Sequence, residues 1–340
     1  MLQTLPTAIL DQRLEDSVTV ESDVHALRRV LVHRPGDELS TVTADNARDW
    51  LFERPISMGR AQDEHDALTA ALRATGADVV GLGDLAGSAL APRPNHMFTR
   101  DMGAVLGQSM LVARPATAVR ASESDDLAGA IAASSSLARI HLHRPSQGKI
   151  EGGDVTALGG GVVAVGVGER TSRAAAEWLA ARLLRGGDAQ EVVLIFLPPG
   201  PGFHLDLVLT LVDHATIVAH APTLERASAI RLGAFGCRGY DEATVGLARA
   251  LDVSAVRLIE STPERHGPSW DVGVNVIAAS PGCVIASAEN PTTNARLARA
   301  GVEVWPTPTR ELRRGRGGPH CMTLPLVRKG VNLDAQDGAG

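Results

Sequence analysis

Along the chain, apolar runs rich in Val, Leu and Ile come in pairs broken by Gly or Asp. The pattern predicts hairpins over Phe98 to Arg114, Glu151 to Val167 and His204 to His220. Their starts are spaced by a constant 53 residues, and a fourth pair, Val274 to Ala286, turns at Ser280-Pro281-Gly282 after a longer interval of 70. Between pairs the period changes to that of an Ala-rich helix followed by one short strand, as in Thr171 to Arg185 then Glu191 to Leu197, and Thr292 to Ala300 then Val302 to Trp305. The repeating unit is therefore hairpin, helix, strand. The strand Arg29 to His33 lacks a local mate, and so does the last one, Met322 to Arg328. Pairing these two completes a fifth unit and closes the ring, leaving no open sheet edge at the seam.

An open α/β sheet would satisfy the alternation of strands and helices, but the regular hairpins favour an α/β propeller of five ββαβ blades with pseudo-fivefold symmetry. Residues 23–330 then form a single domain, preceded by an arm (1–22) and followed by a Gly- and Asp-rich tail (331–340).

Composition narrows the function. The chain has 340 residues, 44% hydrophobic and 21% charged, as in soluble globular proteins. Its net charge is -6, and Lys149 and Lys329 are the only lysines among basic residues that nowhere form a block, so nucleic acid is not expected as a partner. The apolar runs, such as Gly161 to Gly168, are far shorter than the roughly 20 residues that span a bilayer. The first residues lack the basic-then-apolar order of a signal peptide. Cys237, Cys283 and Cys321 are odd in number and form no CxxC pair, which speaks against a disulfide framework or a thiolate zinc site and for a reducing cytoplasm.

Polar residues interrupt the apolar strands at the same place in each repeat: NHMFTRD (95 to 101), EGGD (151 to 154), HLD (204 to 206) and RGGPHC (316 to 321). In a ring these would meet near the axis. Singly, an Asp at a strand start reads as a turn, and Cys237 and Cys283 read as small core residues. Cys321 differs. It follows two glycines, and His204, Glu151 and two aspartates can converge on it, the arrangement of an activated thiolate. Asp101 and Asp206 would oppose thiolate formation unless the substrate were a cation, and a planar guanidinium meets that need.

The chain resembles the arginine deiminases of the guanidine-modifying superfamily, whose fold is a five-bladed ring of ββαβ units, the pentein fold. The resemblance runs through LRRVLVHRPGDEL (27 to 39), WLFE and AQDEHDAL (50 to 68), NHMFTRD, IEGGD with GERTS (150 to 172), FHLDLVLTLVD (203 to 213), NVIAASPG (275 to 282) and GRGGPHCM (315 to 322). It implies Cys321 as nucleophile, His204 as acid and base, Glu151 as its partner, and Asp101 and Asp206 as guanidinium ligands. It further implies that Asn95, Arg120, Arg170 and Arg316 hold the amino-acid end of the substrate, with Phe98 lining the site and Asp154 in the substrate-binding set. The expected activity is hydrolysis of L-arginine to citrulline and ammonia, with neither metal nor organic cofactor. An amidinotransferase, or a deiminase of a related guanidine, is the alternative. A homodimer is left open. Two departures stand out: only Thr69 to Pro94 separate the AQDEHDAL helix from NHMFTRD, so a helical insertion usual in the family is missing, and Val272 and Val274 replace an acidic residue and an Asn in SWDVGVNVI (269 to 277).

Overall fold

A computed structural model describes residues 18–330, apart from 88–89, 136, 138–139, 201–203, 235 and 263–272. The tail, the first seventeen residues of the arm, Val272 and Phe203 therefore lie outside the described residues. In chain order the strands are β1 (Ala26–Val32), β2 (Asp78–Gly81), β3 (Gly103–Leu106), β4 (Ser109–Val112), β5 (His141–His143), β6 (Val155–Gly159), β7 (Val162–Val167) and β8 (Glu191–Phe196). They continue as β9 (Leu209–Asp213), β10 (Thr216–Ala219), β11 (Ser228–Gly233), β12 (Gly236–Tyr240), β13 (Arg257–Glu260), β14 (Ile277–Ser280), β15 (Cys283–Ser287), β16 (Glu303–Thr307) and β17 (Leu324–Lys329).

Five units share one topology. In each, the central strand pairs antiparallel with an inner strand and parallel with an outer one: β17-β1-β2, β3-β4-β5, β6-β7-β8, β9-β10-β13 and β14-β15-β16. The parallel step requires a crossover, and helices at 58–74, 123–133, 173–186, 243–250 and 291–299 supply it. Inner strands touch in sequence, β17 to β3, β3 to β6, β6 to the turn before β9 and β9 to β14, and β14 touches the central strand β1, which pairs with β17, so the contacts return to their start. The seam is the antiparallel ladder of β1 with β17, from Ala26 opposite Lys329 to Leu31 opposite Leu324.

The long fourth interval has a structural cause that the period did not reveal. The hairpin β11–β12 is inserted before the fourth helix and pairs antiparallel with β8, extending the third sheet to five strands. Cys237 sits on its exposed edge strand β12, and Cys283, at the start of β15, is half-buried. Neither is the core residue expected, because Cys237 is on an edge strand and Cys283 is the first residue of its strand. Residues 18–22 of the arm pack on the ring: Val18 and Val20 are buried, and Thr19, Val20 and Ser22 form bridges to Val327, Gly107 and Leu158.

Helix 173–186 shows how the sequence builds a blade. Ser172 caps its N-terminus by accepting from the Ala175 N–H, and Gly187 ends it in the left-handed conformation at φ 81°. Its Ala175, Ala176, Leu179, Ala180 and Leu183 fall on one face at helical spacing and are buried, and the helix packs on β7 and β8.

Candidate active site

The polar stretches sit on short helical turns that precede inner strands: Pro94–Met97 and Thr99–Met102 before β3, Gly152–Asp154 before β6, and Leu205–Leu207 before β9. Asn95 and Asp101 on the first two turns, and His204 at the start of the last, line one cavity. Arg100 locks two of them together, donating to the carbonyls of Gly152 and Val155 while pairing with Asp23 at 3.1 Å. The Arg100 N–H also donates to the Cys321 carbonyl at 3.1 Å, fixing the final loop to the first turn.

Close approach explains the glycines. A Cβ on Gly153 would lie 2.8 Å from the His204 ring, and one on Gly317 would lie 2.5 Å from the Phe98 ring. Larger residues would displace the His204 or Phe98 ring.

The turns enclose a cavity of about 460 Å³ whose lining includes Asn95, Phe98, Asp101, Arg120, Arg170, His204, Arg316 and Cys321. Glu151, Asp154 and Asp206 stand behind that surface, fully buried. His204 donates from Nε2 to Glu151 Oε2 at 2.7 Å, and its Nδ1 lies 3.5 Å from Asp101 Oδ1. Burial works against a charged imidazole, but Asp101 and Glu151 outweigh it and raise the His204 pKa to about 9 despite Arg170. Burial would likewise raise Glu151, yet the Arg170 guanidinium, followed by His204, holds it ionised below the usual carboxylate range.

Cys321 Sγ is 3.3 Å from Asp206 Oδ2. Burial, then Asp206 and Asp101, push this thiol well above its ordinary range. The low side of the balance lies with Asp206, which burial would raise but which the His320 hydrogen bond, at 2.8 Å, and His204 hold down. In the free protein the sulfur therefore keeps its proton, and only added positive charge near the carboxylates would release it.

The expected substrate arginines are already engaged. Arg120 donates to Asp101 Oδ2 at 2.6 Å and to Glu123 Oε2 at 2.8 Å, and Arg170 makes two bonds to Glu151, at 3.2 and 2.5 Å. Arg316 is exposed, holds φ at 69°, and lines the same cavity. Asn95 donates to the Trp50 carbonyl at 3.0 Å and leaves its Oδ1 buried without a partner. Asp154 accepts from the Leu205 N–H at 2.7 Å, which ties it to the turn carrying His204 rather than to the cavity; burial raises its pKa to about 6.

Three residues were not singled out by the sequence. His320 and Asn275 were visible only as letters inside GRGGPHCM and NVIAASPG, and Glu123 is signalled only by its i, i+3 relation to Arg120. Val274, one of the family departures, is buried, and its main-chain carbonyl accepts from Thr210 Oγ1 and from the Val276 N–H. An apolar side chain there strands no amide.

Asp101, Glu151 and His204 are near enough to share a metal ion. A cation would have to displace Arg120 from Asp101 and Arg170 from Glu151, two guanidinium groups that already neutralise those carboxylates. The donor set fits charge pairing better than metal coordination.

Residues 87–328 match the family model for arginine deiminase. The arginine deiminase of Rhodococcus opacus is 31% identical over 402 aligned positions, covering 90% of this chain and 96% of that protein. The enzyme of Mycobacterium tuberculosis is 31% identical over 407 positions, covering 90% and 97%. Both spans exceed the 340 residues of this chain, so the relatives carry stretches without counterpart here, in keeping with the missing insertion.

Among solved structures, the amidinotransferase SxtG from Microseira wollei superposes with a TM-score of 0.65 at 16% identity, covering 92% of this chain and 98% of that one. The product-bound N-terminal domain of ArgZ, a cyanobacterial arginine dihydrolase, gives 0.64 at 18% identity, covering 88% of this chain and 97% of that domain. The DDAH of Pseudomonas aeruginosa bound to citrulline gives 0.61 at 20% identity, covering 88% and 99%. These likenesses bear on the fold, which is the five-bladed pentein ring. With the family model spanning most of the ring and the curated relatives aligned over nearly their whole length, the chain belongs to the arginine deiminase family.

Proposed function

We infer that the protein hydrolyses the guanidinium group of L-arginine to L-citrulline and ammonia, with Cys321, His204, Glu151, Asp101 and Asp206 as its machinery. One observation carries the substrate class: two buried aspartates flanking the catalytic groups each leave one oxygen, Asp101 Oδ1 and Asp206 Oδ1, without a hydrogen bond. Leaving such acceptors unmade costs about 1–3 kcal/mol each. A guanidinium supplies paired N–H donors and the positive charge that both carboxylates call for.

The chemistry follows from the charges. Bound guanidinium offsets Asp101 and Asp206, the thiol releases its proton to solvent because His204 is already protonated, and the sulfur attacks the central carbon. The imidazolium of His204, kept charged by Asp101 and Glu151, gives its proton to departing ammonia, leaving an amidino-thioether on Cys321. Neutral His204 then takes a proton from water; the hydroxide displaces the thiolate, and citrulline leaves. Incubation with L-arginine, with and without an added amine, tests this: citrulline and ammonia should form without any acceptor. Ornithine appearing only with the amine would make the protein an amidinotransferase.

Arg316, exposed at the mouth, is the cation best placed to read the substrate carboxylate, because Arg120 and Arg170 hold Asp101 and Glu151. Arg316→Ala should lower kcat/KM for arginine at least about tenfold while barely changing agmatine. Arg120→Ala and Arg170→Ala should impair both substrates, since each frees a buried carboxylate. Equal losses for arginine and agmatine in Arg316→Ala would remove it from carboxylate recognition.

Stability should follow the charge on His204. Its folded-state pKa of about 9 lies above the ordinary 6.5, so the native state binds the extra proton between those values. That stabilisation is complete below 6.5 and is lost as pH rises through 9. The unmodified protein should therefore lose more Tm between pH 6 and 9.5 than His204→Asn does; parallel losses would contradict the charged imidazole.

Among the described residues no helix is long and apolar enough to cross a membrane. We place the enzyme in the cytoplasm, acting as one catalytic domain over 23–330 on a small guanidine. The three free cysteines support that setting.

A further inference from the structure

Asn275 is fully buried just ahead of β14, and its side chain makes four contacts. Oδ1 accepts from the main-chain N–H groups of Gly318 at 2.9 Å and Cys321 at 3.0 Å. Nδ2 donates to the Asp206 carbonyl at 3.0 Å and to Cys321 Sγ at 3.1 Å. The orientation of the amide is fixed by these partners. Two N–H donors require an oxygen on one side, so the NH₂ must face the sulfur and the Asp206 carbonyl.

The sulfur otherwise faces negative charge. Asp206 approaches from the turn before β9 and Asp101 from the turn before β3, and His204 and His320 lie against those carboxylates, paired with Asp101 and Asp206. On its own loop, the Gly318 N–H favours the ionised form. Asn275 adds the side-chain donor, from a different blade.

We propose that Asn275 is a catalytic hydrogen-bond donor to Cys321, stabilising negative charge on the sulfur when it attacks and when it departs. The proposal rests on the reading of Cys321 as nucleophile. A donor aimed at an ionised group favours the ionised form by charge-assisted hydrogen bonding, and in a site shut off from water that preference is large. By holding Gly318 and Cys321 with its oxygen, the same amide keeps the sulfur where the donor can reach it.

A purely structural clamp and a donor to sulfur separate in one measurement. Asn275→Ala, checked for native near-ultraviolet circular dichroism, is alkylated with iodoacetamide across pH beside the unmodified protein. The midpoint for Cys321 alkylation should move up by about one unit or more, and kcat/KM for arginine should fall about 10- to 100-fold. A lowered Tm with an unchanged midpoint would overturn the proposal and leave a clamp. In unmodified protein carrying isotope-labelled asparagine, the Asn275 Nδ2 protons should shift as Cys321 ionises and again when it is alkylated; no response would also overturn it, even if the alanine variant does not fold. Neither the alkylation midpoint nor the Nδ2 proton shift needs arginine turnover. Failure of the arginine reading would appear instead as absence of citrulline from the unmodified protein.

Discussion

Cys321→Ser is expected to fold normally and to lose arginine turnover by on the order of 10³-fold or more. Serine is smaller than cysteine by little, and the main-chain bonds of residue 321 to Asn275 and Arg100 do not involve the sulfur. What changes is ionisation. Even the thiol is pushed up by burial and by Asp206 and Asp101, and a hydroxyl starts far higher. The charge of one bound guanidinium can release a proton from the thiol but not from the alcohol. Steady-state citrulline formation checks this, with circular dichroism to show that the ring is intact.

Asp206→Asn and Asp101→Asn should each lower kcat/KM by about 10- to 100-fold, the equivalent of about 1.5–3 kcal/mol for a hydrogen bond to a charged group. Their structural consequences differ. Asp206 accepts from His320 and approaches the thiol, so an amide there sets an N–H against donors. Asp101 holds Arg120, and losing its charge leaves that buried guanidinium to Glu123 alone, a carboxyl that burial has already raised to about 7 against the pull of Arg120. Asp66→Asn is the control, since Asp66 pairs with Arg34 on the exposed surface. If either buried variant matched this control, that aspartate would be structural and the guanidinium would need another partner.

The ring was legible because its signal is periodic. Hairpins at 98, 151 and 204, with unpaired strands at both ends, contain the blade topology and its seam. The inserted hairpin β11–β12 was not legible, since SAIRLG and GCRGY lie half-exposed on an outer edge and lack the apolar continuity of the inner strands. In the site, Cys321, His204, Glu151, Asp101 and Asp206 stood out as polar breaks in apolar strands. Which cations would be spent on which carboxylates was not visible, because the Arg120 to Asp101 and Arg170 to Glu151 pairs join residues 19 positions apart in sequence and depend on how the turns face one another. Asn275 was hidden for the same reason: it reaches Cys321 across 46 positions, from another blade.

Mass spectrometry of the reacting protein tests the covalent route most directly. Unmodified enzyme and His204→Ala are mixed with L-arginine, quenched in acid and digested. A gain equal to arginine less ammonia should sit on the peptide containing Cys321, more abundant in His204→Ala, where release by water is slowed. Citrulline accumulating while Cys321 stays unmodified in both proteins, or an adduct on Cys237 or Cys283 instead, would contradict the mechanism.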